Sequence, residues 1–217
     1  MAVELATKAG DIAVKQSLQS ILASVDRLEN ITENYLKLSR LSAGEKRVVD
    51  MGEVLESVLA TYASAFQEQG VQVDWHREDH ADLRILGDAD LLEQALGNLV
   101  RNSLQALELC TRAENWTPAI RLALGAAETG RVWLKIEDNG PGISADVLPK
   151  LFTPFMTTRS QGTGLGLSFV KKVFEDHGGR VEYRSAEKGG ACFEMILPLA
   201  MLTRESPERE VESHAYT

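Results

Sequence analysis

Basic residues are in deficit in this sequence. Its 23 Lys and Arg face 32 Asp and Glu, a formal net charge of −9. That balance argues against a surface built for nucleic acid or for an anionic membrane. Cysteine is almost absent: Cys110 and Cys192 allow one disulfide at most, and a reduced pair is the expectation. No apolar run approaches the ~20 residues that span a bilayer. The first residues also lack a basic stretch followed by an apolar one. A soluble cytoplasmic chain, or a soluble piece of a larger one, is expected. No Gly-Lys-Ser/Thr triplet occurs, which excludes a P-loop. No histidine precedes His76.

What is present fits an ordinary globular protein. Hydrophobic residues make up 44% and charged residues 25% of 217, enough for one full domain plus an accessory element. Over residues 1–44, Leu18, Ile21, Leu22, Val25, Leu28, Ile31, Tyr35, Leu38 and Leu41 recur at steps of three and four, which predicts a long amphipathic helix. Such a stripe either packs on its own domain or pairs with a second copy. Its length, at ~1.5 Å per residue, favours a homodimeric bundle. Ser42-Ala43-Gly44 ends the helix and opens a linker.

A domain is expected over residues 45–202. Asp50 starts an amphipathic helix ending at Gly70, and short strands follow around Val71, Val73 and Trp75, then Leu83 and Ile85. Asp88 caps a strongly apolar helix. Two alternating strands come next (Ile120, Leu122, Leu124; Val132, Leu134, Ile136), then a Gly/Thr-rich loop, a helix over 165–177 and a closing hairpin. The order predicts an α/β protein: a mixed sheet covered by helices on one face, a two-layer sandwich. Residues 203–217 form a charged tail expected to stay solvated.

Three elements carry chemistry. Asp138-Asn139-Gly140-Pro141-Gly142 follows a strand; as a lone feature it is an ordinary turn, but it would also hold a carboxylate where glycines admit a planar group. Gly162-Thr163-Gly164-Leu165-Gly166-Leu167 precedes a helix, so backbone N–H groups converge at the positive end of its dipole, an arrangement suited to phosphate. Asn98 and Asn102, four apart, put two amides on one face of an otherwise apolar helix. They either bond neighbouring backbone or turn their oxygens toward a metal–phosphate complex.

Together these segments resemble the bacterial sensor histidine kinases. Residues 93–106 (Glu-Gln-Ala-Leu-Gly-Asn-Leu-Val-Arg-Asn-Ser-Leu-Gln-Ala) are similar to the family's N box, 138–142 to its first glycine box, Leu151-Phe152-Thr153-Pro154-Phe155 to its F box, and 162–167 to its second glycine box. Gly189-Gly190-Ala191-Cys192-Phe193 and Leu197-Pro198 agree with its ending. Upstream, residues 35–41 resemble the end of the second helix of the family's dimerisation bundle, and Thr157-Thr158-Arg159 resembles the lid of the nitrogen-regulation subgroup.

The resemblance implies the GHKL (Bergerat) ATP-binding fold behind a dimerisation helix, with ATP and Mg²⁺ as ligands. Asp138 would accept a hydrogen bond from the adenine amino group, with Gly140, Gly142 and Ile143 beside the ring. Asn102 would hold Mg²⁺ and Asn98 would face the phosphates. The backbone of Gly162, Thr163, Gly164, Leu165, Gly166 and Leu167 would line the triphosphate. Thr157, Thr158 and Arg159 would belong to the lid, with Arg159 reaching the γ-phosphate and Phe152 and Phe155 as anchors. Partners would be a second copy, through the N-terminal helix, and a response regulator receiver domain.

Gyrase, the Hsp90 chaperone and the MutL mismatch-repair protein share this nucleotide fold and hydrolyse ATP. They place a glutamate, the general base for water, four residues before the metal-binding asparagine. Here that position is Asn98, which fits transfer to another nucleophile. Gln105 stands where many kinases have lysine or histidine. The family's phosphoacceptor histidine should lie upstream of the second bundle helix, and none of His76, His80, His177 and His214 does. The sequence thus reads as the catalytic, ATP-binding part of a sensor histidine kinase without its acceptor segment. A kinase-like nucleotide-binding adaptor that never transfers phosphate is the competing expectation.

Overall fold

In the computed structural model, the first two helix starts follow directly from side-chain chemistry. The structure describes residues 46–110, 116–159, 162–186 and 189–200, with Val14 and Leu18. The expected N-terminal dimerisation helix lies outside the described residues except at those two positions, which are helical and exposed. The tail beyond 202 lies outside them as well.

Strand β1 (Arg47–Asp50) runs straight into helix α1 (Met51–Gln69). Asp50 caps it by accepting from the Gly52 N–H at 2.7 Å, which satisfies one of the orphan donors of the first turn. Gly70 closes the helix with φ 63°, a left-handed conformation that costs glycine little. After β2 (Gln72–Arg77) and β3 (Arg84–Gly87), Asp88 caps α2 (Ala89–Glu108) through the Leu91 N–H at 3.2 Å. The hairpin β4 (Ala119–Ala127) and β5 (Arg131–Asp138) follows. A single 3₁₀ turn (Leu148–Lys150), α3 (Gly166–Asp176), β6 (Arg180–Ser185) and β7 (Ala191–Pro198) complete the domain.

The main sheet has the order β2-β4-β5-β7-β6; β2 and β4 are parallel and the remaining pairs antiparallel. Alternation decides its two faces. Ile120, Leu122, Leu124, Val132, Leu134 and Ile136 are buried beneath the helices. Their neighbours on the opposite face pair as ions, Arg121 with Glu137 at 3.2 Å and Lys135 with Glu194 at 2.9 Å. Helices therefore cover one face, as the patterning predicts. Helix α2 lies between α1 and α3, and its Leu92, Leu96 and Leu99 are fully buried. Each such side chain contributes roughly 1.5–3 kcal/mol relative to exposure.

Two expectations need correction. The segment after Ser42-Ala43-Gly44 is not all linker, because it contains β1. The strand around Ile85 does not join the main sheet; it pairs antiparallel with β1 as a separate ribbon. The reason is burial: Val49 and Ile85 sit opposite each other in the core, while Val48 and Leu86 face outward.

His177 joins two helices. It is the C-cap of α3, 5% exposed, with Nδ1 2.7 Å from the Val173 carbonyl oxygen, while Nε2 accepts from the Asp88 N–H at 3.0 Å. Both contacts need the neutral ring protonated on Nδ1. Burial lowers its pKa, outweighing the carbonyl, Asp88 and Asp176, which favour the charged form; Lys46 disfavours it. Burial therefore outweighs the favourable effect that a helix C-terminus has on a cation. A depressed folded pKa gives stability that is complete above the unfolded value near 6.5 and is lost as pH falls through it toward the folded value. Thermal melts from about pH 7.5 to 5.5 should show falling stability, with a shallower slope in His177→Gln. Equal slopes would remove His177 as the cause.

Candidate functional site

A cleft of about 850 Å³ opens beside α2. One face of that helix supplies Asn98, Arg101, Asn102, Gln105 and Ala106, spaced by three and four residues so that their side chains align. The loop after β5 supplies Gly142, Ile143 and Ser144. The segment leading to α3 supplies Met156, Thr157, Thr158, Arg159, Gly162, Thr163 and Gly164, and α3 itself contributes Gly166 and Leu167. Asp138 is at the floor.

Asp138 is a carboxylate only 3% exposed. Its Oδ1 accepts from the N–H groups of Gly140 (2.9 Å) and Ala191 (3.2 Å), and its Oδ2 from the Ser103 hydroxyl at 3.1 Å. Burial holds its pKa above the ordinary carboxylate value, and these three donors offset only part of that rise. With two N–H donors on Oδ1, it is Oδ2 that keeps acceptor capacity toward the cleft. The sequence does not reveal who holds Asp138. Ser103 stands inside the apolar α2 pattern as a small polar residue, the one available signal. Gly190 belongs to the closing motif, but nothing local ties it to Asp138; at φ 99° it packs so tightly that a Cβ would lie 1.9 Å from the Asp138 carbonyl oxygen.

The other end of the cleft is marked by glycines. Gly164 has φ 68°, and a Cβ there would fall 2.3 Å from the Phe155 carbonyl carbon. At Gly166 a Cβ would lie 4.0 Å from the Asn98 amide carbon, so Asn98 faces the first turn of α3. Along α2, the Asn98 turn therefore meets the glycine loop, while Ser103 meets Asp138.

Arg159 reaches across the cleft to α2. Its guanidinium donates to the Asn102 carbonyl oxygen at 3.2 Å, to Asn102 Oδ1 at 3.4 Å and to Gln105 Oε1. Burial lowers its pKa, opposed by Asp138 and Glu108. Gln105, an acceptor where the resemblance anticipates a cation, thus has a cation delivered to it. Thr157 Oγ1 steadies the segment by accepting from the Arg159 N–H at 3.1 Å.

Three expected contributors are placed differently. Phe155 is 63% exposed and outside the cleft. Its left-handed backbone (φ 66°) turns the chain there, and Met156 lines the cleft instead. The anchoring falls to Phe152, edge-on to Phe193 at 6.5 Å between ring centroids. Leu165 is buried, and its N–H is directed to Thr163 Oγ1 at 3.4 Å. Gly140 acts behind the cleft wall through its N–H to Asp138; a Cβ there would press on that carboxylate at 2.9 Å.

Residues 87–201 match the family described as histidine kinase-, DNA gyrase B- and HSP90-like ATPase. Sensor protein FixL of Bradyrhizobium diazoefficiens is 35% identical over 156 residues, 72% of this chain and 30% of FixL. Among solved structures, full-length ShkA in complex with AMPPNP superimposes with a TM-score of 0.66 at 27% identity, covering 81% of this chain and 36% of that one. Histidine kinase ThkA in complex with response regulator protein TrrA gives 0.63 at 26%, covering 81% of this chain and 48% of that one. The chain spans less than half the length of the curated relatives it matches.

Proposed function

This chain belongs to the histidine kinase-, DNA gyrase B- and HSP90-like ATPase family, and from that premise we propose that it serves as the ATP-binding, catalytic part of a two-component sensor histidine kinase. The observation that carries this reading is the buried Asp138 carboxylate with an acceptor oxygen on a cleft of nucleotide size. An adenine amino group would donate to Oδ2. A base lacking that donor would leave a buried acceptor unpaired, which is a costly mismatch.

The phosphates would then run along α2 toward Asn98 and the N–H groups opening α3, with the dipole of that helix favouring negative charge. Arg159 would leave Asn102 and Gln105 for the γ-phosphate. Among the described residues no three His, Cys, Asp or Glu side chains are grouped to hold a metal. A hard cation would therefore enter with the phosphates and add Asn102 Oδ1, whose only hydrogen bond among the described residues is the long one to Arg159. Mg²⁺ so bound would neutralise phosphate charge. Asn98 brings an amide where a base would be needed to activate water, so the chain's own residues position ATP without promoting hydrolysis.

The receiving nucleophile in this proposal is a histidine other than the four in this chain. His177 is buried as a helix cap, and His76 and His80 are exposed on β2 and its following loop. The N-terminal stripe would pair two copies, placing residues 45–202 beside an acceptor helix. A response regulator receiver would take the phosphoryl group next, a partnership supported by the ThkA–TrrA complex. Among the described residues no helix is long and apolar enough to cross a membrane.

Binding measured with and without the metal tests the site. Asn102→Ala should cost about 1 kcal/mol of ATP affinity with Mg²⁺ present and less without it, since once Arg159 has turned to the γ-phosphate the amide oxygen would serve the metal. An identical loss in both conditions would remove Asn102 as a ligand.

A further inference from the structure

Arg101 lines the cleft, yet nothing so far uses it. Among the described residues its guanidinium hydrogen-bonds only to Tyr62 Oη, from Nε at 3.4 Å and from Nη2 at 3.3 Å. Tyr62, on α1, in turn donates to the Gly97 carbonyl oxygen at 3.0 Å. The cation is thus held by a neutral phenol, and no described carboxylate pairs with it. Among the described residues its charge is therefore unpaired, in a chain of net charge −9.

The position of that charge is informative. A long helical side chain leans toward the N-terminal turn, and the Tyr62 bridge holds the guanidinium at the level of the Gly97–Asn98 turn, on the α1 side of the cleft. Asn98 faces the start of α3, at the end of the cleft away from Ser103 and Asp138. If the base sits on Asp138, the charged head of Arg101 stands at the distal end of the phosphate chain. Arg159, bonded to Asn102 and Gln105, approaches from the opposite wall.

We propose that Arg101, positioned by Tyr62, is a fixed guanidinium site for the terminal phosphate of the nucleotide and sets preference for triphosphate over diphosphate. This rests on the nucleotide reading of the cleft. The planar fork of arginine suits phosphate oxygens, and a guanidinium already bridged to Tyr62 loses less freedom on binding than an untethered one. Tyr62 is a positioning residue here: its hydroxyl touches Arg101 and the backbone of α2, not the ligand.

The test is a set of calorimetric titrations of the full chain with ATP and with ADP, each with Mg²⁺. Arg101→Ala should lower ATP affinity about tenfold, the effect of a charge-assisted contact. ADP affinity should change little, so the ATP-to-ADP ratio falls. Arg101→Lys should keep part of the ratio. Tyr62→Phe should lower it as well, although the cation is retained. A loss of packing alone would lower both affinities together and leave the ratio intact. A wild-type ratio in Arg101→Ala overturns the proposal, and a wild-type ratio in Tyr62→Phe overturns the positioning role. Failure of the unaltered chain to bind either nucleotide would instead overturn the nucleotide site and this assignment with it.

Discussion

Gly190→Ala is expected to prevent stable folding. Its backbone has φ 99°, which L side chains rarely adopt, and the added Cβ would lie 1.9 Å from the Asp138 carbonyl oxygen and 2.7 Å from the carbonyl carbon. Both are backbone atoms at the end of β5, so no rotamer change relieves the overlap. Relief requires β7 to move away from β5. That movement breaks the Ala191 N–H contact to Asp138 and disturbs pairing that brings Glu137 opposite Cys192. The expected cost is above about 4 kcal/mol, in the range reserved for backbone strain and core disruption. Most of a typical domain's stability is consumed at that level. Gly130→Ala separates strain from overlap: Gly130 also has positive φ (70°), but nothing lies within 4 Å of its Cβ position. Its expected cost is about 1 kcal/mol. Denaturant melts that rank the two variants equally would contradict the overlap argument.

Asp138→Asn is expected to fold and to lose adenine recognition. Asparagine must still satisfy the Gly140 and Ala191 N–H groups, so its oxygen will take the Oδ1 position and its NH₂ the Oδ2 position. The Ser103 hydroxyl can rotate to accept. An adenine amino group cannot, and donor then meets donor in a buried place. The expected loss is about 2–3 kcal/mol of ATP affinity, the upper range for a charged hydrogen-bond partner. Guanine carries an acceptor oxygen where adenine carries its amino group, so the same substitution should narrow the gap between ATP and GTP. Calorimetry against both nucleotides measures this. Unchanged ATP affinity would take Asp138 out of the site.

Much of this architecture is legible in the residues. Asp50 and Asp88 announce helix starts because their carboxylates serve first-turn N–H groups, and the alternation in β4 and β5 separates a buried face from a charged one. The cleft wall from α2 follows from the spacing of Asn98 and Asn102 on an apolar helix. Other features have no local signal. Strand β1 is four residues with two exposed, and only Ile85 opposite Val49 makes it a strand. The parallel pairing of β2 with β4 depends on the intervening ribbon and helix, which no window of sequence contains. Arg159 meets Gln105 from 54 positions away, and Arg101 meets Tyr62 from 39. Such pairings arise from tertiary packing. Phe155 shows the reverse error: an aromatic in a motif reads as an anchor, whereas a left-handed backbone turns it to solvent.

The central claim, that the cleft positions ATP for transfer and not for hydrolysis, is tested most directly by following γ-labelled phosphate. The chain is incubated with ATP and Mg²⁺, alone and then with a histidine-bearing dimerisation segment of a sensor kinase on a separate polypeptide. Alone, the label should remain on ATP, with little free phosphate and none on His76, His80, His177 or His214, because Asn98 supplies no base and the described histidines, His76, His80 and His177, lie outside the cleft lining. With the added segment, acid-labile label should appear on its histidine. Steady release of inorganic phosphate by the chain alone, label on one of its own histidines, or an added segment that stays unlabelled while ATP is bound would contradict it.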